Sequence, residues 1–371
     1  MSRLDRHIAG RLLLNFVLLF AVLYLFASTI DVILNLDEFM KLAVEAAGDD
    51  ASWITTTGMT LGFAANFHLP QLFQFYAWLY GIVLVGAAGF TLVQMNRCRE
   101  LVAIVACGLS LRRVAMPFLG VAVALSAVQV LNQEFVLPHV APLLLRSHKH
   151  ASQDSVDAYP IRFTDDAHGT LLQAASFDPG TGRLRDPSFI ARDSQGRTTS
   201  RWWARAATWN PSESAWDLED GQYVEIQPDA RGSSRARPAE QVETDLSPTR
   251  LSMRRYGQVA SMLSLAQISD MLAWPDSREA PALRRSAMTR FSVLVLNILM
   301  LLIALPFFLD RVPDGLFGRS VKCAGVVIPL YFTAAGLMLI PLPGIGALLE
   351  SVLPVLLLLP VALIRLGGLR T

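Results

Sequence analysis

Apolar and polar stretches alternate on two scales along this chain. Residues 12–30 form 19 consecutive positions without a charged side chain, close to the roughly 20 residues that cross a bilayer at about 1.5 Å of rise each. A cleaved signal peptide is the competing reading of this run. The run is long for an h-region, however, and no small-residue cleavage site precedes Asp31 and Asp37. Residues 51–96 contain no Asp, Glu, Lys or Arg, and proline cannot donate a backbone bond inside a helix. Pro70 is therefore expected to divide the stretch into a partly embedded helix over 53–66 and a second span over 72–93. Residues 114–133 read as a third span, with Glu134, Pro138 and Pro142 marking its exit. Residues 291–309, 323–340 and 345–364 read as spans four to six, with Glu350 near one end of the last.

Between spans three and four lies a polar block, residues 144–285, with a different period. Short runs rich in aromatic and β-branched residues at 161–163, 170–174, 188–191, 202–209, 215–218 and 223–226 read as strands. Clusters such as Asp178-Pro-Gly-Thr-Gly182 and Asp193-Ser-Gln-Gly196 read as the turns between them. The spacing predicts one antiparallel sandwich or jelly roll. The expected fold class is an α-helical membrane protein with six transmembrane helices in a 3+3 plan and an inserted antiparallel β-jellyroll-like domain. Its parts are residues 1–143, 144–285 and 286–371.

Composition agrees with that plan: 53% of the 371 residues are hydrophobic, 17% are charged and the net charge is +1, which leaves no basic surplus for a nucleic-acid partner. Charge placement adds an orientation. With the N-terminus in the cytoplasm, that side carries twelve basic residues: Arg3, Arg6, Arg11, Arg97, Arg99, Arg112, Arg113, Arg311, Arg319, Lys322, Arg365 and Arg370. The short connections on the other side carry only Lys41. By the positive-inside rule both termini are cytoplasmic and the β domain lies outside the cytoplasm. Cys98, Cys107 and Cys323 all lie outside the polar block, so no disulfide framework is implied.

No catalytic residue emerges from the sequence. The three lysines, Lys41, Lys149 and Lys322, do not follow glycine, which excludes a Walker A loop. His148 and His150 read as solvated, and Asp165, Asp166 and His168 read as turn chemistry rather than a metal site. More informative is the connection from Arg97 to Arg113. Residues 100–107 can form two helical turns, Gly108 can end them at positive φ, and Ser110 can cap the third span. This describes a short helix lying beneath the membrane as a docking element. Periodicity alone equally allows an extended start of span three, with Arg112 and Arg113 reaching the headgroups. At the start of that helix a carboxylate, Glu100, can meet a basic groove on a partner or can balance Arg97 and Arg99.

The segment Glu100-Leu-Val-Ala-Ile-Val-Ala-Cys-Gly108-Leu-Ser110 resembles the cytoplasmic coupling helix of the LptF/LptG lipopolysaccharide-export permeases. The order of spans and β domain resembles that family over essentially the whole chain. Leu4-Asp5-Arg6 before the first span is closer to LptG members than to LptF members, and Arg290 stands sixteen residues before Pro306 at opposite ends of span four. The resemblance implies a non-catalytic permease subunit of an ABC transporter. Its implied partners are a cytoplasmic ATPase dimer that uses ATP and Mg, a second permease of the same type, and a periplasmic β-jellyroll protein that receives the lipid. It also implies that Glu100, Leu101, Gly108 and Ser110 carry the ATPase coupling.

For the cargo the family pattern is only partly met. Lys41 is the lone cation near the outer end of span one, among Asp37, Glu38, Glu45, Asp49 and Asp50. Arg284, Arg285 and Arg290 are the remaining lipid-binding candidates, and Arg290, adjoining the apolar run, calls most strongly for a charged partner. A membrane-anchored periplasmic binding or scaffold protein without transport activity is the competing functional class. An intramembrane enzyme lacks a nucleophile and base or a ligand set.

Overall fold

A computed structural model describes residues 3–48, 52–144, 158–166, 169–193, 195–226, 235–257, 260–273, 280–309, 316–340 and 346–367. Of the residues singled out above, Asp49, Asp50, His148, Lys149, His150, His168, Arg311, Ile345 and Arg370 lie outside them. Eleven α-helices occur among the described residues: α1 (Arg3–Leu34), α2 (Leu36–Ala47), α3 (Trp53–Arg97), α4 (Glu100–Ala106), α5 (Leu111–Leu131), α6 (Leu137–Leu144), α7 (Pro248–Gly257), α8 (Leu265–Leu272), α9 (Ala280–Ala304), α10 (Leu316–Leu339) and α11 (Ala347–Gly367). Six stretches are long and apolar enough to cross a membrane, three before the β strands and three after. The chain divides into two compact units: residues 1–36, 68–138 and 280–371, and residues 37–67 and 139–279.

Two proline positions expected to end helices do not. Pro70 lies inside α3, which runs unbroken for 45 residues, or ~67 Å against ~30 Å of hydrocarbon. A proline removes one backbone bond, and packing on either side outweighs that loss. The Tyr24 hydroxyl donates to the His68 carbonyl at 2.7 Å, and Phe39 meets the Phe67 ring at 5.8 Å. The third span likewise continues past Glu134 and Pro138, through a π-helical turn, Asn132–Val136, into α6. That turn sits just ahead of the proline, where the Leu137 N–H reaches back five residues to the Asn132 carbonyl and the side chains after it are rotated to new faces.

The first compact unit has one apolar core built from α1, α3, α5, α9, α10 and α11, including Leu12, Tyr80, Leu84, Phe118, Met300 and Ala362. Small residues set the closest approaches. A Cβ on Gly81 would stand 2.0 Å from Asn297 Oδ1, so only glycine lets α9 bring that side chain against α3.

The polar block holds ten strands: β1 (Tyr159–Asp165), β2 (Leu171–Asp178), β3 (Arg183–Arg185), β4 (Ser188–Arg192), β5 (Thr198–Trp203), β6 (Ala206–Asn210), β7 (Ala215–Glu219), β8 (Gln222–Glu225), β9 (Arg237–Pro238) and β10 (Gln241–Glu243). They form one antiparallel sheet in the order β10-β7-β6-β3-β2-β4-β5-β8-β9, with β1 on the other edge of β2. The order has a simple origin. β3 with β4, β5 with β6, β7 with β8, and β9 with β10 are four long strands, each broken at its middle, that follow β1 and β2 in a meander. The run 202–209, expected as one strand, is broken at Ala204 and Arg205. The breaks line up across the sheet. Asp186 N–H donates to Arg205 C=O at 2.9 Å, Arg205 N–H to Glu219 C=O at 3.1 Å, and Ala239 N–H to Gly221 C=O at 3.0 Å. Asp186 and Asp220 take φ of 47° and 55° at the bends, a conformation aspartate tolerates better than most residues.

Bending along this line lets both halves of the sheet share a core of Leu172, Phe177, Leu184, Phe189, Trp216 and Val242. The indole N–H of Trp216 donates to the Leu246 carbonyl at 3.0 Å, so its polar atom is satisfied inside the core. The end of the polar block, expected as part of the β domain, is helical in α7 and α8. Ser264 and Gln267 form a capping box at the start of α8, as their spacing of three requires.

A Cβ on Gly221 would stand 2.2 Å from the Ala239 carbonyl oxygen, which is backbone and cannot swing aside. Gly221→Ala is expected to destabilise the β domain by about 1–3 kcal/mol, the usual cost of overpacking. A lower urea midpoint of Trp fluorescence in the detergent-solubilised protein, with Trp209 and Trp216 as adjacent reporters, is the measurement that checks it.

Candidate functional site

The short helix α4 is jointed at both ends. Arg99 before it takes φ 57° and Gly108 after it φ 78°. Leu109 N–H reaches back to the Ile104 carbonyl at 3.4 Å, the pattern by which a left-handed glycine closes a helix. Ser110 then starts α5, its hydroxyl accepting from Arg113 N–H at 3.3 Å. On α4 itself, Leu101 is the buried anchor, while Val102, Ala103 and Ala106 are exposed.

Glu100 is balanced by neither Arg97 nor Arg99. Arg11 Nη1 donates to both of its carboxylate oxygens at 2.8 Å, with the two side chains 28% and 32% exposed. A second clasp stands nearby, where Arg113 Nη2 donates to Asp5 Oδ2 at 2.9 Å. A third, Asn15 Nδ2 to Thr91 Oγ1 at 2.8 Å, ties the same part of α1 to α3. Ile8, Leu12 and Phe16 are buried on the same face because α1 repeats that face every three to four residues. The sequence reading counted Arg11 only toward orientation and Asp5 only toward resemblance. Their spacing of six residues sets them about 120° apart round the helix, so no periodicity argument pairs them, and only the packed fold shows that both are clasped.

Toward the other end of α5, roughly 30 Å along its axis by helical rise, the cations proposed for lipid binding face carboxylates. Arg290 Nη1 donates to Glu134 Oε1 at 3.2 Å, with the arginine side chain only 9% exposed. Arg285 stands 3.8 Å from Glu350 and Lys41 3.9 Å from Glu38. Arg284 is exposed. The π-helical turn brings Asn132 and Glu134 into this region together, and Asn132 Nδ2 donates to the Phe73 carbonyl at 2.9 Å. Lys41 is on α2 and belongs to the other compact unit. Sequence reading placed Glu134 and Glu350 at span ends without giving either a role.

Asp166 has a structural task in the β domain: its carboxylate accepts from Thr170 N–H at 2.7 Å and from the Thr244 hydroxyl at 3.1 Å. All three cysteines are free thiols.

Glu134 faces the largely buried Arg290 guanidinium, so removing it strips that cation of a counter-charge where desolvation is costly. Glu134→Ala is expected to cost about 3–5 kcal/mol, and the joint change Arg290→Met with Glu134→Leu to recover most of it. Thermal unfolding of the purified protein in detergent distinguishes these outcomes.

No individually curated protein matches the chain. The sequence model of one family, described as lipopolysaccharide export system permease LptF/LptG, matches residues 49–367. That span takes in α3 through α11, with the β strands inserted between the two sets of membrane-crossing helices, and only α1 and α2 lie before it. This chain therefore belongs to the LptF/LptG family of lipopolysaccharide-export permeases, and is a multi-pass protein of the inner membrane.

Proposed function

We propose that this chain is one of two permeases in an ATP-driven exporter that draws lipopolysaccharide, or a related lipid, out of the inner membrane. A separate cytoplasmic ATPase dimer docks on α4 and uses ATP and Mg, and this chain binds neither. The β domain, on the periplasmic side, hands the lipid to a β-jellyroll partner. The observation that carries the reading is α4: a short helix between two membrane-crossing helices, jointed at Arg99 and Gly108, anchored by Leu101 and exposed along Val102, Ala103 and Ala106. A scaffold anchored only to display its β domain has no use for such a joint.

The basic residues support a cargo of modest anionic charge. Arg285, Arg290 and Lys41 each stand near a carboxylate, so a lipid phosphate would compete with that partner for them. Arg284 and Lys41 are the exposed cations of the set.

Purification from the native membrane in mild detergent is expected to bring down an ATPase and a second permease. Proteoliposomes of the complex are expected to release lipid to a soluble acceptor only with ATP and Mg. Isolation without an ATPase, with lipid bound equally well in its absence, would favour the scaffold reading. For the orientation, a membrane-impermeant maleimide applied to spheroplasts should label Gln195→Cys in the β4–β5 turn and leave the exposed native thiols Cys98 and Cys107 unmodified. The reverse labelling would turn the protein over.

A further inference from the structure

On the reading that the ATPase docks on α4, the backbone route from that helix into α5 is a poor transmitter. Motion passes along a continuous helix because successive i→i−4 bonds resist bending. Here the route is broken at Gly108, in the left-handed region, as the link back from α4 to α3 is at Arg99. What holds α4 is its side chains. Leu101 is buried, and both oxygens of Glu100 are taken by Arg11 of α1 at 2.8 Å, although 89 residues separate the two in sequence.

The mechanical state of α1 completes the picture. Its buried residues are Asp5, Ile8, Leu12, Asn15 and Phe16, all in the first half of a 32-residue helix. The polar clasps to Thr91, Glu100 and Arg113 fall in the same half. Beyond Phe16, Val17, Val22, Leu25 and Phe26 are exposed. The second half is held by fewer buried side chains but is not free: Phe20 packs edge-on against Tyr76, the Tyr24 hydroxyl donates to the His68 carbonyl at 2.7 Å and Asp31 stands 3.4 Å from His68, so the outer part of α1 moves together with the part of α3 around His68. Arg11 Nη1 is shared between both carboxylate oxygens, a charge-assisted contact stronger than a neutral hydrogen bond.

We propose that Arg11 is the positioning residue that makes α1 the helix moved by α4. Glu100 is committed to Arg11, and displacement of α4 by the ATPase enters the bilayer through this clasp rather than through Gly108 into α5. Asp5 and Arg113 hold the pivot by tying the start of α1 to the start of α5.

The test uses the complete exporter in proteoliposomes and reads two quantities: the ATPase that co-purifies, and lipid released per ATP hydrolysed. Arg11→Glu places two carboxylates together and is expected to lower lipid per ATP about tenfold, within the range of a typical coupling between sites. The exchange Arg11→Glu with Glu100→Arg rebuilds the pair in reverse and is expected to restore lipid per ATP to within about threefold of the starting protein, as an interacting pair should in a double-mutant cycle. Arg11→Lys, which keeps the cation but loses the planar geometry, is expected to fall between and guards against a folding defect in the reversed variants. Arg11→Glu with unchanged lipid per ATP would overturn the proposal. So would an exchanged pair that stays uncoupled and loses the ATPase, since Glu100 would then serve a cation on the partner. Lack of any ATPase with the unaltered chain would instead count against α4 as the docking element, a result distinct from either.

Discussion

Hydrocarbon offers no partner to a polar group, and the membrane-crossing bundle of this protein is arranged around that fact. A charge carried into such a helix must meet its opposite or reach water. Arg290 finds Glu134 and Arg285 stands near Glu350, so charged pairs link α9 to the π-helical turn that follows α5 and bring it beside α11. Some uncharged polar side chains are satisfied in the same way, Asn15 on Thr91 and Tyr76, whose hydroxyl donates to the Leu125 carbonyl at 2.9 Å, whereas buried Asn297 is not. These contacts act less as a source of net stability than as a constraint on which helix faces can meet, because each penalises every packing that separates the partners.

The β domain solves a different problem with the same economy of parts. A short polar stretch must enclose a core large enough to bury Trp216, Phe177 and Phe189. A flat meander has one buried face only if something else covers it. Breaking four consecutive strands at aligned positions folds the sheet on itself, so both halves contribute to one core. Gly221, which leaves room for the Ala239 carbonyl, and the left-handed Asp186 and Asp220 are local features whose purpose is visible only from the alignment.

At the α4 end the charges are half-exposed, and their contribution is to direction rather than to energy. Exposed ion pairs are worth roughly 0–1 kcal/mol, so the clasps of Arg11 with Glu100 and Arg113 with Asp5 are weak as glue. In the coupling proposed above, they determine which neighbour each helix follows when it is displaced. A permease needs to keep its bundle intact while one element moves, and contacts of low energy and definite geometry suit that requirement better than a deeply packed interface.

The architecture was legible along the chain because hydropathy and turn chemistry are local. A charge-free run of nineteen residues has to cross a membrane or be buried whatever surrounds it, and Gly108 followed by Ser110 ends one helix and begins the next by short-range hydrogen bonds. The six spans, the inserted strands and the jointed helix between spans two and three follow from such signals. Tertiary structure decided the partners. Glu100 has adjacent arginines on offer and takes one 89 residues away, while Arg290 takes a carboxylate 156 residues away. Neither choice is encoded in spacing, since it depends on which helix faces meet once the apolar surfaces have packed. The same holds for Pro70 and Pro138. Each deletes a backbone bond in a way the sequence displays plainly, yet whether the helix breaks there depends on neighbours that exist only in the folded bundle.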